Sequence, residues 1–222
     1  MYSTLRKAYE TNFFTSIHFR ELRDEIRSTW GNACVTTHRS WCYLIFILGQ
    51  IANPSDNLQE DIEDESNQYG DILQESFLDS YNNLTIKSIH ILKYFVKMTN
   101  GVGNKYLLKT DDDSFIHLET LWDLAKFRLN TRSNHLVGYL QLGVKKHHYL
   151  PLAHKPTAKN LKIEKWIRWL IPSYMYNKKF FPQFLSGSGY FIPSNSAKCL
   201  LEHSKVFIYQ LQNLLGLRYT SK

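Results

Sequence analysis

The sequence predicts an α/β fold, a mostly parallel sheet flanked by helices, and three stretches carry that expectation. Residues Trp41 to Leu48 form an unbroken apolar, aromatic-rich run closed by Gly49, the pattern of a strand buried on both faces. From Leu84 to Leu129 the chain reads as helix, strand, helix, and strands alternating with helices mark an α/β sheet. Between those two helices, Tyr106-Leu107-Leu108 runs into Lys109-Thr110-Asp111-Asp112-Asp113 before Ser114-Phe115-Ile116 resumes the apolar pattern. Three carboxylates thus stand where a buried strand reaches the protein's edge. Extended geometry would put Lys109, Asp111 and Asp113 on one face and Asp112 on the other. Two carboxylates on one face invite a cation.

Taken in order, residues 20–30 read as a short charged helix, with Leu22, Ile26 and Trp30 at four-residue steps and Gly31-Asn32 as its stop. Arg20, Arg23 and Arg27 fall along another face, read at this level as an exposed basic face. The acidic run Glu60, Asp61, Glu63, Asp64 and Glu65 reads as a solvated loop leading into a charged helix end, and Tyr69 to Leu73 as a turn and a short strand. Asp79 to Asn83 offers caps for a helix from Leu84 to Met98, with Ile86, Ile89, Leu92, Lys93 and Val96 on its inner face. Asn83-Leu84-Thr85 is also a glycosylation sequon.

After the Asp run, His117 to Leu129 is a helix with Leu118, Leu121, Trp122, Ala125 and Leu129 inward, and Leu136 to Leu140 is a strand. Residues 141–165 are basic and loop-like; His147, His148 and His154 lie there without HExxH spacing and read as solvated. Residues 163–184 interleave Trp166, Trp169, Tyr174, Tyr176, Phe180, Phe181 and Phe184 with Lys165, Arg168, Lys178 and Lys179. Such a stretch could stack nucleic-acid bases, pack on sugar rings, rest on a membrane, or serve as core and rim. Ser186-Gly187-Ser188-Gly189 then supplies small residues where backbone must approach something closely, leading into the strand Tyr190-Phe191-Ile192.

A chain of 222 residues with 43% hydrophobic and 14% aromatic residues is a folded globular protein, best read as one domain. Its net charge of +7 is uneven: residues 1–123 hold 18 acids against 11 Lys/Arg, whereas residues 124–222 hold 16 Lys/Arg against Glu164 and Glu202. A basic half suits either a solvated surface or an anionic partner. Cys34, Cys42 and Cys199 are too few for a disulfide framework, though they allow one bridge with a leftover thiol. No apolar run is long enough to span a membrane, and the amino terminus lacks a signal pattern.

Seven segments in order resemble the β-1,3-galactosyltransferase family, glycosyltransferase family 31. They are Arg23-Asp-Glu-Ile-Arg-Ser-Thr-Trp-Gly31, Phe46-Ile-Leu-Gly49, Tyr69-Gly-Asp-Ile-Leu73, Asp79-Ser-Tyr-Asn-Asn-Leu-Thr-Ile-Lys87, Lys109 to Asp113, Glu164-Lys-Trp166, and Phe181-Pro182 through Tyr190. The resemblance implies a GT-A fold, a Rossmann-like domain binding a UDP-sugar donor at the carboxyl ends of its strands. It further implies inverting transfer of galactose or N-acetylglucosamine to a glycan acceptor, in the lumen of the Golgi. The Asp run becomes the family's Asp-x-Asp element, with Asp113 as the principal Mn²⁺ ligand and Asp111 and Asp112 near the ribose and metal; hard oxygens suit that ion. Lys109, Arg23 and Arg27 become candidates to hold UDP. Trp166 and the Gly187-Ser188-Gly189-Tyr190 turn would border the sugar or acceptor. Residues 20–192 would then be the transferase domain, 1–19 a poorly matched amino-terminal segment in which Asn12 to Ile17 faintly echoes the family's first strand, and 193–222 a divergent carboxyl-terminal segment.

The family's acidic pair, which follows the Gly-x-Gly-Tyr element and supplies the general base, has no counterpart here: beyond Gly189 the only acid is Glu202. The catalytic base is therefore unassigned, and an impaired relative that binds UDP-sugar or glycan without transfer is the alternative reading. The family's membrane anchor is not encoded here, so the chain is expected to be incomplete at both ends. Nucleic acid is not an expected partner, because that reading leaves the Asp run unexplained. An EF-hand is excluded by Phe115 at its third ligand position.

Overall fold

The structure, a computed structural model, describes residues 9–36, 42–51, 57–100, 105–127, 135–145 and 176–215. The chain divides into two compact units, Met1–Gly138 with Gly187–Lys222, and Tyr139–Ser186. In order the elements are β1 (Tyr9–Phe14), α1 (Arg20–Ser28), α2 (Trp30–Val35), β2 (Cys42–Gln50), α3 (Leu58–Tyr69), β3 (Ile72–Leu78), α4 (Leu84–Thr99), β4 (Tyr106–Asp111), α5 (Leu118–Phe127), β5 (Val137–Gln141), β6 (Phe184–Pro193) and α6 (Ser194–Leu215). The sheet order is β3-β2-β1-β4-β6-β5. β1 pairs in parallel with β2 and β4, and β2 with β3, while β6 runs antiparallel to β4. The α/β class and its parallel sheet are as the sequence predicts.

Side-chain alternation along the strands builds two cores on opposite faces of this sheet. Leu44, Phe46, Tyr106, Leu108 and Phe191 meet Ile26 and Trp30 from the α1–α2 region and Leu118 and Leu121 of α5. Ile47, Leu107 and Ile192 meet Ile91, Leu92 and Phe95 of α4 and Ala197 of α6. Cys34 and Cys42 form a disulfide that ties α2 to the start of β2, and Cys199 is free and exposed. Two glycines are required by geometry. A Cβ on Gly49 would come within 2.5 Å of the Phe77 carbonyl and 2.8 Å of the Asp79 amide. Gly70 closes α3 at φ +65°, the left-handed conformation that glycine adopts without strain.

Several local expectations are corrected. The acidic run is a helix, and its Glu65 is fully buried. The strand after Gly70 extends to Leu78. On α4 the inner face carries Lys87, Ile91, Leu92, Phe95 and Thr99, while Lys93 is exposed: the inward register is rotated from the one read off Ile86 and Ile89. Asn83, expected as a cap, makes no cap bond and donates to the Leu78 carbonyl at 2.9 Å. Tyr43 is exposed on β2, whose residues from Phe46 to Gly49 are buried. In the second unit, Lys145 bridges Phe180, and the Tyr176 and Phe181 rings stack at 5.3 Å. Phe181 also packs edge-on against Phe184, whereas Tyr139 and Phe180 are exposed.

Candidate functional site

The strand order creates a reversal beside β1. From β1 the chain steps outward through β2 to β3, then returns to the opposite side of β1 as β4. Open α/β sheets bind ligands at such a switch point, outside the carboxyl ends of the strands. Phe14, the last residue of β1, is in register with Asp111, the last of β4, and with Ile47 of β2. The Asp run therefore leaves the sheet beside the end of β1.

Lys109 and Asp111 share a strand face, as alternation requires. The Lys109 ammonium is buried at 5% exposure and donates to Asp111 Oδ1 at 2.5 Å and to the Gly187 carbonyl at 2.6 Å. It also lies 5.9 Å from the Tyr190 ring centroid. Thr110 donates to the Ser188 carbonyl at 2.8 Å, and the Ser114 hydroxyl to the same oxygen at 3.3 Å. The antiparallel register sets Lys109 opposite Tyr190 and Thr110 opposite Gly189. Lys109 thus links Asp111 to Gly187, and Thr110 links the same strand to Ser188.

Alternation ends at Asp111. Asp112 and Asp113 lie in a turn, closed by the Ser114 amide donating to the Asp111 carbonyl at 3.2 Å, so Asp113 is not fixed to the Asp111 face by strand geometry. The expected crowding at the glycines is absent: a Cβ on Gly187 meets nothing within 4 Å, and one on Gly189 only the Thr110 hydroxyl at 3.9 Å. The space along this part of β6 is open.

Burial and charge tune the groups around the tip. Burial raises the Asp112 pKa, and Asp113 and Asp111 add to the rise against an opposing hydrogen bond from Thr15. Burial lowers the Lys109 pKa, with Asp111 opposing it. Tyr190 is raised by burial and by Asp111.

Sequence reasoning missed a third cluster at the same edge. Lys87, 2% exposed, donates to the Thr15 carbonyl at 2.7 Å and to Asp79 Oδ1 and Oδ2 at 2.9 and 3.1 Å. Asp79 Oδ2 also accepts from the Gly49 amide at 3.0 Å. Lys87 thereby laces together the ends of β1, β2 and β3, and Asp112 acts on it electrostatically. Its signal was available, since Lys87, Ile91 and Phe95 repeat at four-residue steps.

Arg23 and Arg27 bond to other carboxylates, although Arg23 acts electrostatically on Lys87. The Arg23 guanidinium, 0% exposed, donates to both Glu65 oxygens at 2.8 and 2.6 Å and to the Ser16 carbonyl at 2.8 Å. Arg27 pairs with Asp71 at 2.7 Å, Glu65 at 2.7 Å and Asp24 at 2.7 Å, and its guanidinium lies 4.0 Å from the Tyr69 ring centroid. Of the expected exposed basic face, Arg20 is exposed, whereas Arg23 is buried and Arg27 half-buried in an ion-pair network. At 0% exposure, with each guanidinium nitrogen bonded within the fold, Arg23 is closed to a ligand. Trp166 lies outside the described residues. Glu202 is exposed on α6.

As a metal site the tip is incomplete. Among the described residues no group of three His, Cys, Asp or Glu side chains is placed to hold an ion. Asp111 and Asp113 offer hard oxygens, and a divalent ion held by one or two carboxylates draws the rest of its shell from phosphates and water. The donor set fits such an ion when a phosphate ligand is present.

Comparison with known proteins covers the segments that meet here. The family model described as Galactosyltransferase matches residues 21–212. The chain is 33% identical over 185 residues to beta-1,3-galactosyltransferase 2 of Mus musculus and of Homo sapiens, covering 83% of this chain and 40% of each relative. It is 29% identical over 185 residues to beta-1,3-galactosyltransferase 1 of Mus musculus, covering 50% of that protein. The chain thus spans half or less of these relatives' lengths. Because the family match runs from α1 through most of α6 and includes the whole β4–β6 tip, the chain belongs to the galactosyltransferase family.

Proposed function

We propose that this chain is the donor-binding core of a GT-A-type, UDP-sugar-dependent β-1,3-hexosyltransferase. It would transfer galactose or N-acetylglucosamine with inversion to a glycan on a glycoprotein or glycolipid in the Golgi lumen. The observation that carries the reading is the Asp111–Asp113 run at the switch point beside β1, braced by Lys109 to the Gly187 carbonyl. The names of the similar proteins favour galactose as the sugar.

In this reading Asp113, with the free oxygen of Asp111, holds Mn²⁺. When bound, that ion supplies positive charge against the diphosphate leaving group, stabilising it without a proton. Lys109 orients Asp111 and ties the tip to β6, Tyr190 borders the sugar, and the open space at Gly187 and Gly189 admits it. The test is titration of the folded chain with UDP, with and without Mn²⁺. Binding that requires the metal and vanishes in Asp113→Ala supports the assignment; no metal-dependent binding by a folded sample overturns it.

A second reading, a relative that binds donor without transfer, is favoured by one observation: Glu202, the only acid beyond Gly189, is exposed on α6. An inverting transferase needs a base within hydrogen-bond reach of the acceptor hydroxyl. Radiolabelled transfer to simple galactose and N-acetylglucosamine acceptors separates the two readings, because clear turnover excludes the second.

A further inference from the structure

β3 is the outermost strand of the sheet, and among the described residues nothing pairs with its outer edge. The Phe46 amide donates to the Asp71 carbonyl at 2.8 Å, so the backbone groups of Asp71, Leu73 and Glu75 face β2. A register shift against β2 follows Gln74, but the Asp79 amide again donates to the Gln50 carbonyl at 3.0 Å. Odd-numbered residues thus face β2 at both ends of the strand, and the groups of Ile72, Gln74 and Ser76 face outward. Beside this edge, between α3 and β3, runs a groove. One part, about 510 Å³, is lined by Gln50, Gln59, Glu63, Gln74, Glu75 and Ser76. A second part, about 240 Å³, shares Glu63 and Gln74 and adds Ile62 and Ile72 as an apolar floor.

The groove's charge is one-sided. Between Arg39 and Lys87 the sequence has no Lys or Arg but nine acids. Three of the nine are neutralised inside the fold: Glu65 and Asp71 by Arg23 and Arg27, and Asp79 by Lys87. Glu75 pairs with His90 at 3.0 Å. Among the described residues Glu60, Asp61, Glu63 and Asp64 of α3 form no ion pair with any Lys or Arg, and Glu63 lines the groove. An uncovered strand edge is a template for another extended chain; the charge along it selects which chain.

We propose that the β3 edge and the α3–β3 groove dock an extended, lysine- or arginine-rich polypeptide segment of a partner protein. The segment adds to the sheet as a strand through the outward groups of Ile72, Gln74 and Ser76. Its cationic side chains reach Glu63 and Glu75. The docking does not depend on the donor-site reading, because the groove shares no residue with the β4–β6 tip.

The test is fluorescence anisotropy of the full chain with a labelled peptide of alternating lysine and threonine, long enough to span the seven residues of β3. A glutamate–threonine peptide is the control. Saturable binding of the lysine peptide alone, weakening as salt approaches physiological strength, is expected. Ser76→Pro removes an amide that faces solvent and not β2, a position where an edge strand tolerates proline. It should weaken binding about tenfold, and Glu63→Gln with Glu75→Gln should do so by a similar factor through charge. Absence of binding overturns the proposal. So does binding that the charge variant weakens but Ser76→Pro leaves unchanged, which marks a diffuse acidic surface without strand addition. Sedimentation of the chain alone covers the remaining occupant: a dimer that Ser76→Pro disrupts assigns the edge to a second copy and overturns the partner docking. Urea unfolding of each variant verifies that it remains folded.

Discussion

The α1–α3 charge network and the tip of β4 hold the same kinds of side chain, carboxylates beside basic residues, in opposite settings. In the network, Arg23 and Glu65 are both 0% exposed and every Arg23 nitrogen is bonded. At the tip, Lys109 is buried but the Asp111 side chain it touches is 38% exposed, and Asp113 is exposed. A network closed off from solvent offers no bond to a ligand, so its work is to orient α1 against α3. An open one keeps carboxylate oxygens for an ion or a phosphate-bound partner. Composition does not separate the two; burial and bond count do.

The comparison breaks most readily at Arg23. Arg23→Met leaves Glu65 buried without its main partner, a change that typically costs about 3–5 kcal/mol. Urea unfolding that shows less than about 1 kcal/mol would mean the network is not structural. The same pair predicts an acid limb. Burial alone would raise the Glu65 pKa, but its bonds to Arg23 and Arg27 prevail and hold it below the usual value of 4.5. A depressed carboxylate stabilises the fold fully above its unfolded pKa and loses that contribution as pH falls through the folded one. The urea midpoint should therefore drop below about pH 4.5, and Glu65→Gln should flatten that drop.

Lys87→Met comes next, at about 3 kcal/mol, because it strands Asp79, whose side chain is 6% exposed; Lys87→Arg should recover part of the loss. Removing the Cys34–Cys42 bridge by double serine substitution should cost about 2–3 kcal/mol, as expected for a crosslink across a sequence separation of 8. Asp113→Ala is smallest, within about 0.5 kcal/mol of the parent, while removing metal-dependent UDP binding. A large loss of stability there would move Asp113 into the structural class and erase the contrast.

β2, α4, β4 and α5 were legible because each has a local period, and the Asp run because it interrupts an apolar strand, whereas α3 was read as a loop and the central β1 only as a faint family echo. Glu65 was not: in an acidic helix nothing local marks which carboxylate meets an arginine 42 residues earlier. Lys87 was misjudged in favour of Lys93 because both sit near an apolar stripe, and only the packing of α4 on the sheet fixes which faces inward. The bracing of Lys109 by Gly187 was not legible, since the two lie 78 residues apart. Periodicity reports a face and not the partner that covers it.

That same separation has a consequence during synthesis. β6 covers the flank of β4 that β1 does not, so until Gly187 to Pro193 have been made, Tyr106-Leu107-Leu108 forms an apolar strand with one bare edge. At about 5–20 residues per second, the 78 residues between Lys109 and Gly187 take roughly 4–16 seconds to add. Throughout that interval the nascent chain displays an aggregation-competent strand ending in the acidic tip. Chaperone occupancy on ribosome-bound chains should rise once β4 emerges and fall once β6 follows.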